Sequence, residues 1–293
     1  MSESNKAELV GDSRLALIGA ALAVTAWGSS GVIVKYISVS STEIAVYRFT
    51  FYAVLMVLFL KGRGTPLTLK ALRTSLWGGI ALGLNVAFFF ESLKRTTVVN
   101  ATIIGSLQPV LISIYSFKAF GERIRRKDIL LGLLALIGAF GVVAGSSGTT
   151  EWDITGDLFA FAALFTWSEY FVVSKRTQEL VTPLEFTAAS GVITGVLNFG
   201  IALVFGISFT VPSNKDIFWI IILATVAGLI GHSLMNWSLV RIPLWVGSTL
   251  TLFVPVVSAF LAWVFLNESL NFIQILSTLV VVLSLGIILV DQD

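Results

Sequence analysis

Of 293 residues, 56% are apolar and only 12% charged, at a mean hydropathy of +0.92, so a water-soluble fold would have too little polar surface to cover its core. The surrounding solvent is therefore lipid. With no cysteine the chain excludes disulfides and thiolate metal sites, and a formal charge of +2 says less than the distribution of that charge.

In chain order, residues 1–13 are polar and mixed in charge (Ser2, Glu3, Asn5, Lys6, Glu8, Asp12) and lack the flanks of a signal peptide; they read as a short cytoplasmic lead. Ten apolar stretches follow, near 15–36, 43–60, 73–93, 97–118, 129–145, 156–176, 184–206, 217–239, 245–266 and 272–290. Most approach the roughly 20 residues that cross about 30 Å of hydrocarbon. Lipid offers open strand edges no partner and a barrel would alternate polar with apolar residues, so the fold is predicted to be an all-α bundle of ten transmembrane helices.

The first stretch places Trp27 near mid-depth, the second holds Arg48, and the third carries Asn85, the pair Gly79/Gly83 and, at its outer end, Glu91, a partner for Arg48 or Lys94. The fourth begins with Asn100 and contains Pro109, which frees the carbonyl of Gly105. The basic run Arg123–Lys127 has the charge of a lipid-headgroup or nucleic-acid patch, but a topology-setting inner loop next to anionic lipid explains it more simply. Gly141/Gly145 in the fifth stretch and Gly191/Gly195 in the seventh put small residues on one face, for packing inside the chain or, at Gly141/Gly145, for a weak dimer. Between them the acidic residues Glu151, Asp153 and Asp157 divide the halves 14–150 and 151–293. The sixth stretch carries Trp167, Glu169 and Tyr170, the eighth the single histidine His232, and the ninth Pro255, which frees the carbonyl of Thr251. Trp77, Trp152, Trp219, Trp237, Trp245 and Trp263 fall near stretch ends or in a loop, where indoles form interfacial belts.

With the N-terminus inside, Lys61, Arg63, Lys70, Arg73, the Arg123–Lys127 run, Lys175, Arg176 and Arg241 lie on the inner side, and only Lys35, Lys94, Arg95 and Lys215 lie outside. The positive-inside rule then puts both termini in the cytoplasm.

The two halves echo one another. Ser92-Leu93-Lys94-Arg95 recurs 146 residues later as Ser238-Leu239-Val240-Arg241, Pro109 as Pro255 and Glu122 as Glu268; Trp27 with Lys35 matches Trp167 with Lys175 at an offset of 140. Five crossings per half force the second copy to enter the membrane with opposite orientation, giving an inverted repeat. The paired prolines are candidate hinges.

The run Glu91 to Thr96 with Pro109 and Gly121-Glu122, and its echo Trp237 to Arg241 with Pro255 and Asn267-Glu268, resemble the two five-helix EamA-type repeats of the drug/metabolite transporter superfamily. The resemblance implies an inverted-repeat carrier with a central cavity lined mainly by spans one, three, four, six, eight and nine, in the bacterial inner membrane, similar to that superfamily's exporters of amino acids and metabolites.

Trp27, Trp167, Asn85, Asn100, Tyr170 and His232 are the expected cargo contacts, since buried polar groups and indole N–H groups need a partner that cargo or water supplies. Hydrogen bonds between helices use the same chemistry. Glu169, a carboxylate at a span centre, costs roughly 2.5–3.5 kcal/mol on insertion scales, and burial makes it a candidate proton carrier. Cargo is expected to be a small zwitterion or neutral molecule, such as an apolar or aromatic amino acid, because a phosphate dianion needs several Lys or Arg at depth. No cofactor or metal is expected. A passive channel or facilitator shares the fold evidence, as does a non-transporting scaffold; an intramembrane enzyme lacks its motifs, with no H-E-x-x-H, G-x-S-x-G or Walker loop in the chain.

Overall fold

A computed structural model describes residues 3–145 and 153–291, with side chains of the first helix described from Asp12 onward. Glu151 and Trp152 lie outside the described residues. Among those described there are helices and no strand. They are α1 (Glu3–Gly28), α2 (Ser30–Val34), α3 (Ser41–Gly62), α4 (Leu69–Thr74), α5 (Leu76–Leu93), α6 (Val98–Gly105), α7 (Gln108–Phe120), α8 (Arg126–Ala144), α9 (Ile154–Arg176) and α10 (Pro183–Val204). Then α11 (Asn214–Leu223), a π-helical stretch (Ala224–His232) and α12 (Ser233–Leu239) run on continuously, as do α13 (Leu244–Leu250), a 3₁₀ turn (Thr251–Phe253) and α14 (Val254–Leu266), before α15 (Phe272–Val290).

Nine of these helical stretches are long and apolar enough to cross a membrane, among the described residues. The chain is an integral, multi-pass, all-α membrane protein. The expected sixth span, α9, has the length at 23 residues but carries Asp157, Glu169, Lys175 and Arg176, and it is not among the nine. The residues read as a separate lead enter α1 from Glu3.

Helix starts are set locally. Ser40/Glu43, Thr182/Glu185, Ser213/Asp216 and Asn271/Gln274 each form a reciprocal capping box that satisfies backbone donors of the first turn. Pro109 and Pro255 sit in the first turn of α7 and α14, where a missing N–H costs nothing. The helix breaks just upstream: at the first proline Leu107 N–H donates to Ile104 C=O at 3.0 Å and Val110 N–H to Leu107 C=O at 3.0 Å, tight turns at the weak point that Pro109 marked.

Glycines set the close approaches inside the chain. A Cβ on Gly79 would meet Ser190 O of α10 at 3.0 Å, and one on Gly145 would meet Gln274 Cγ of α15 at 2.6 Å. Gly141 likewise faces Ser277 of α15, so the face considered for a dimer is covered by the chain's own last helix. Helix α5 packs on α9, α1 on the π-helical stretch and α12, α3 on α10, and α8 on α15, each pairing joining the first half of the chain to the second.

Trp77 and Trp263 are 69% and 51% exposed, as belt residues should be, whereas Trp245 is buried in the core. Glu91 pairs with Lys94 at 2.6 Å and Arg95 at 3.2 Å, not with Arg48.

Candidate functional site

Trp27, Trp167, Tyr170 and His232, four of the predicted contacts, meet at one place. The Trp27 and Trp167 rings are 5.3 Å apart, Trp27 and His232 5.3 Å, and Tyr170 stacks on Trp167 at 5.5 Å. Phe171 and Tyr52, both fully buried, complete the cluster, with Tyr52 5.9 Å from His232. The two indoles are partly exposed while Tyr170 and His232 are buried beneath them. The indole N–H of Trp27 donates to Ala227 C=O at 3.1 Å, in the π-helical stretch, so the partner expected from cargo or water is a backbone carbonyl instead. His232 Nδ1 is buried with no hydrogen-bond partner among the described residues.

Below the rings a polar network ties three elements together. Asn236 donates to Tyr170 OH and to Thr187 Oγ1, both at 2.8 Å, and accepts from Ser174 Oγ at 2.8 Å. At roughly 0.6 kcal/mol per interhelical bond, Asn236→Leu is expected to cost about 2 kcal/mol of stability, read as the shift in a reversible unfolding curve in mixed micelles. An unchanged curve would remove the network from the account.

The other predicted residues stand apart. Asn85 donates to Ala163 C=O at 2.9 Å, a bond between α5 and α9. Asn100 is buried and its Nδ2 reaches Thr96 Oγ1 at 3.2 Å, near the start of α6, where Thr96 donates to Asp157 at 2.8 Å. Glu169 is exposed, contrary to the expectation of a buried carboxylate. Two residues past Trp167 it lies about 200° around the helix, on the face away from the rings. The two breaks touch across the halves: Thr251 Oγ1 approaches Gln108 Oε1 at 3.2 Å. Arg48 lies 5.1 Å over the Phe49 ring, with its Nε buried and unpartnered.

One buried contact between the halves involves Glu122, which the repeat marked only as a helix-end match. Gly121, at φ 65, ends α7 in the left-handed conformation that glycine tolerates, and turns Glu122 back toward the bundle. Its carboxylate accepts from Leu244 N–H at 2.9 Å and from the Ser116 hydroxyl, and lies 3.3 Å from Lys175 Nζ. Lys175 also donates to Ile242 C=O at 2.6 Å. Glu122 thus caps the first turn of α13, where unpaired N–H groups and the helix dipole favour an anion.

The matching positions at the other end are not joined. Asn267, at φ 55, repeats the left-handed turn, yet Glu268 and Lys35 are both exposed, no ion pair links them, and Val98, the counterpart of Leu244, is 64% exposed.

The sequence pattern described as the EamA-like transporter family matches residues 14–144 and again 154–290. The chain belongs to that family. It is a membrane transporter by that membership. This EamA-type chain is 24% identical to the probable amino-acid metabolite efflux pump of Salmonella typhimurium over 92% of each chain. It is 28% identical to the aromatic amino acid exporter YddG of Ancylobacter novellus over about half of each chain (52%). A solved crystal structure at 22% identity superposes with a TM-score of 0.79, covering 93% of this chain and 96% of the other, which shows the same fold.

Tyr52, Asn236, Glu122 and Lys175 are the residues of this EamA-type site that sequence reasoning missed. Glu122 and Lys175 carried a signal, since both have repeat partners. Tyr52 and Asn236 carried none, because their partners lie in other helices.

Proposed function

We propose that this chain exports amino acids, aromatic or apolar ones above all, or similar small metabolites, by alternating access across a bacterial inner membrane. In this reading α9 is the sixth of ten spans, the two halves are inverted about an axis in the membrane plane, both termini are cytoplasmic and a single chain suffices. The observation that carries it is the contrast between the ends: Glu122, Lys175 and Leu244 are latched, while Lys35, Glu268 and Val98 are exposed and no ion pair joins Lys35 to Glu268. A pore needs no such asymmetry. A carrier open at one end and closed at the other requires it.

The cargo reading is supported by the partly exposed indole pair and by the names of the two relatives. An aromatic pair adds about 0.5–1.5 kcal/mol, so Trp27→Ala is expected to weaken aromatic amino acids by about tenfold relative to alanine. Counterflow into proteoliposomes across an amino-acid panel tests this, with and without a pH gradient. If no amino acid competes with any other, the cargo class is wrong. Proton coupling through Glu169 requires water on its face of α9, so Glu169→Gln should flatten the pH response; unchanged flux and pH response remove it from the mechanism.

A further inference from the structure

A groove of about 550 Å³ opens on the bundle's side, away from the ring cluster, at the end where Glu122 is latched. Helix α7 contributes Ile114 and Phe117, α8 contributes Ile129 and Leu133, and Trp245 and Thr249 of α13 form its floor. The four wall residues are apolar and exposed, on spans whose outer surfaces meet acyl chains.

One end of this apolar groove is cationic. Arg123 lines it and is exposed, with no acidic partner among the described residues. Asp128 also lines it, but its carboxylate is held by Arg125 at 2.7 and 3.0 Å. Lys127 and Arg125 share Asp291, at 2.6 and 3.6 Å, which leaves Arg123 and the exposed Arg126 as the uncompensated charges. Glu122 beside them is engaged by Lys175 and Leu244. In the other half Ser269 and Phe272 stand where Arg123 and Arg126 stand here. The charge belongs to this groove alone.

We propose that the groove binds one acidic phospholipid, its acyl chain between α7 and α8 and its phosphate at Arg123. The chemistry is that of a juxtamembrane basic cluster acting on an anionic headgroup, with an apolar slot added that a free phosphate would not use. Gly132 keeps the slot open: a Cβ there meets only Thr249 Cγ2, at 4.0 Å, so a larger side chain fits and fills it.

Native mass spectrometry of the full chain in micelles tests the site, titrated with phosphatidylglycerol and phosphatidylcholine of identical acyl chains and with glycerol phosphate. The wild type should retain one phosphatidylglycerol with about tenfold preference over phosphatidylcholine, the size expected of one or two arginines near a headgroup, and no glycerol phosphate. Arg123→Gln, a surface change that leaves the core intact, should abolish the preference, and Gly132→Leu should abolish retention of either lipid. Equal retention of the two lipids by the wild type overturns the proposal, as does unchanged preference in Arg123→Gln. Retention of glycerol phosphate alone makes the site a phosphate site and overturns it too.

Discussion

Glu122→Gln is expected to open the latched end of the bundle. The substitution keeps one acceptor for Leu244 N–H but removes the ion pair with Lys175, and both side chains are only 12% exposed. Losing one member of a buried pair strands the other, at about 3 kcal/mol. Lys175→Met strands Glu122 instead, whereas the double variant strands neither, so the two losses should be markedly less than additive. The chain has no cysteine, so Ser248→Cys, at a fully buried position on α13, gives an unambiguous reporter. A water-soluble thiol reagent should leave that cysteine unmodified in the parent and modify it at least tenfold faster with Glu122→Gln present. Flux should fall by a similar factor. Should the cysteine react at the parent rate and the losses simply add, Glu122 is an ordinary helix cap and the latch is withdrawn.

Glu268→Gln is expected to do the opposite: little harm to this conformation and large harm to turnover. Glu268 and Lys35 are exposed here, so the substitution should leave stability unchanged within about 0.5 kcal/mol. The proposed exchange of conformations brings Glu268 onto Lys35 and the Val98 N–H, as Glu122 now sits on Lys175 and Leu244. Counterflow should therefore drop about tenfold in Glu268→Gln and in Lys35→Gln, and recover in the charge swap Lys35→Glu/Glu268→Lys. Cysteines at the two positions should form a disulfide that arrests transport and is released by reductant. Wild-type counterflow in Glu268→Gln would falsify the mirrored closure while leaving the latch at Glu122 intact.

The contrast between Glu122 and Glu169 shows how far residue identity reaches. Both were visible as carboxylates in an apolar chain, and the cost of burying a charge singled out Glu169 as the unusual one. The structure exposes it, because a helix turns through about 100° per residue and two residues separate it from the inward-facing Trp167. Glu122 attracted notice only as a repeat match, yet it joins α7, α9 and α13. The tryptophans divide likewise: Trp27 and Trp167, singled out for their matching repeat positions, prove to be in ring contact, and Trp245 left the expected belt for the core. Asn85 and Asn100 make interhelical and local hydrogen bonds here, a use that the sequence had equally allowed.

The sequence by itself determined that the solvent is lipid, that the backbone is helical, where most crossings lie, and that Glu122 and Glu268, like Lys175 and Lys35, are copies. Those properties depend on composition and on order along the chain. Which copy is engaged, which way Glu169 points, and what surrounds His232 were decided only by the tertiary structure. A duplication copies residues but not their neighbours, so Glu122 meets Lys175 and the Leu244 N–H while its copy Glu268 is left exposed.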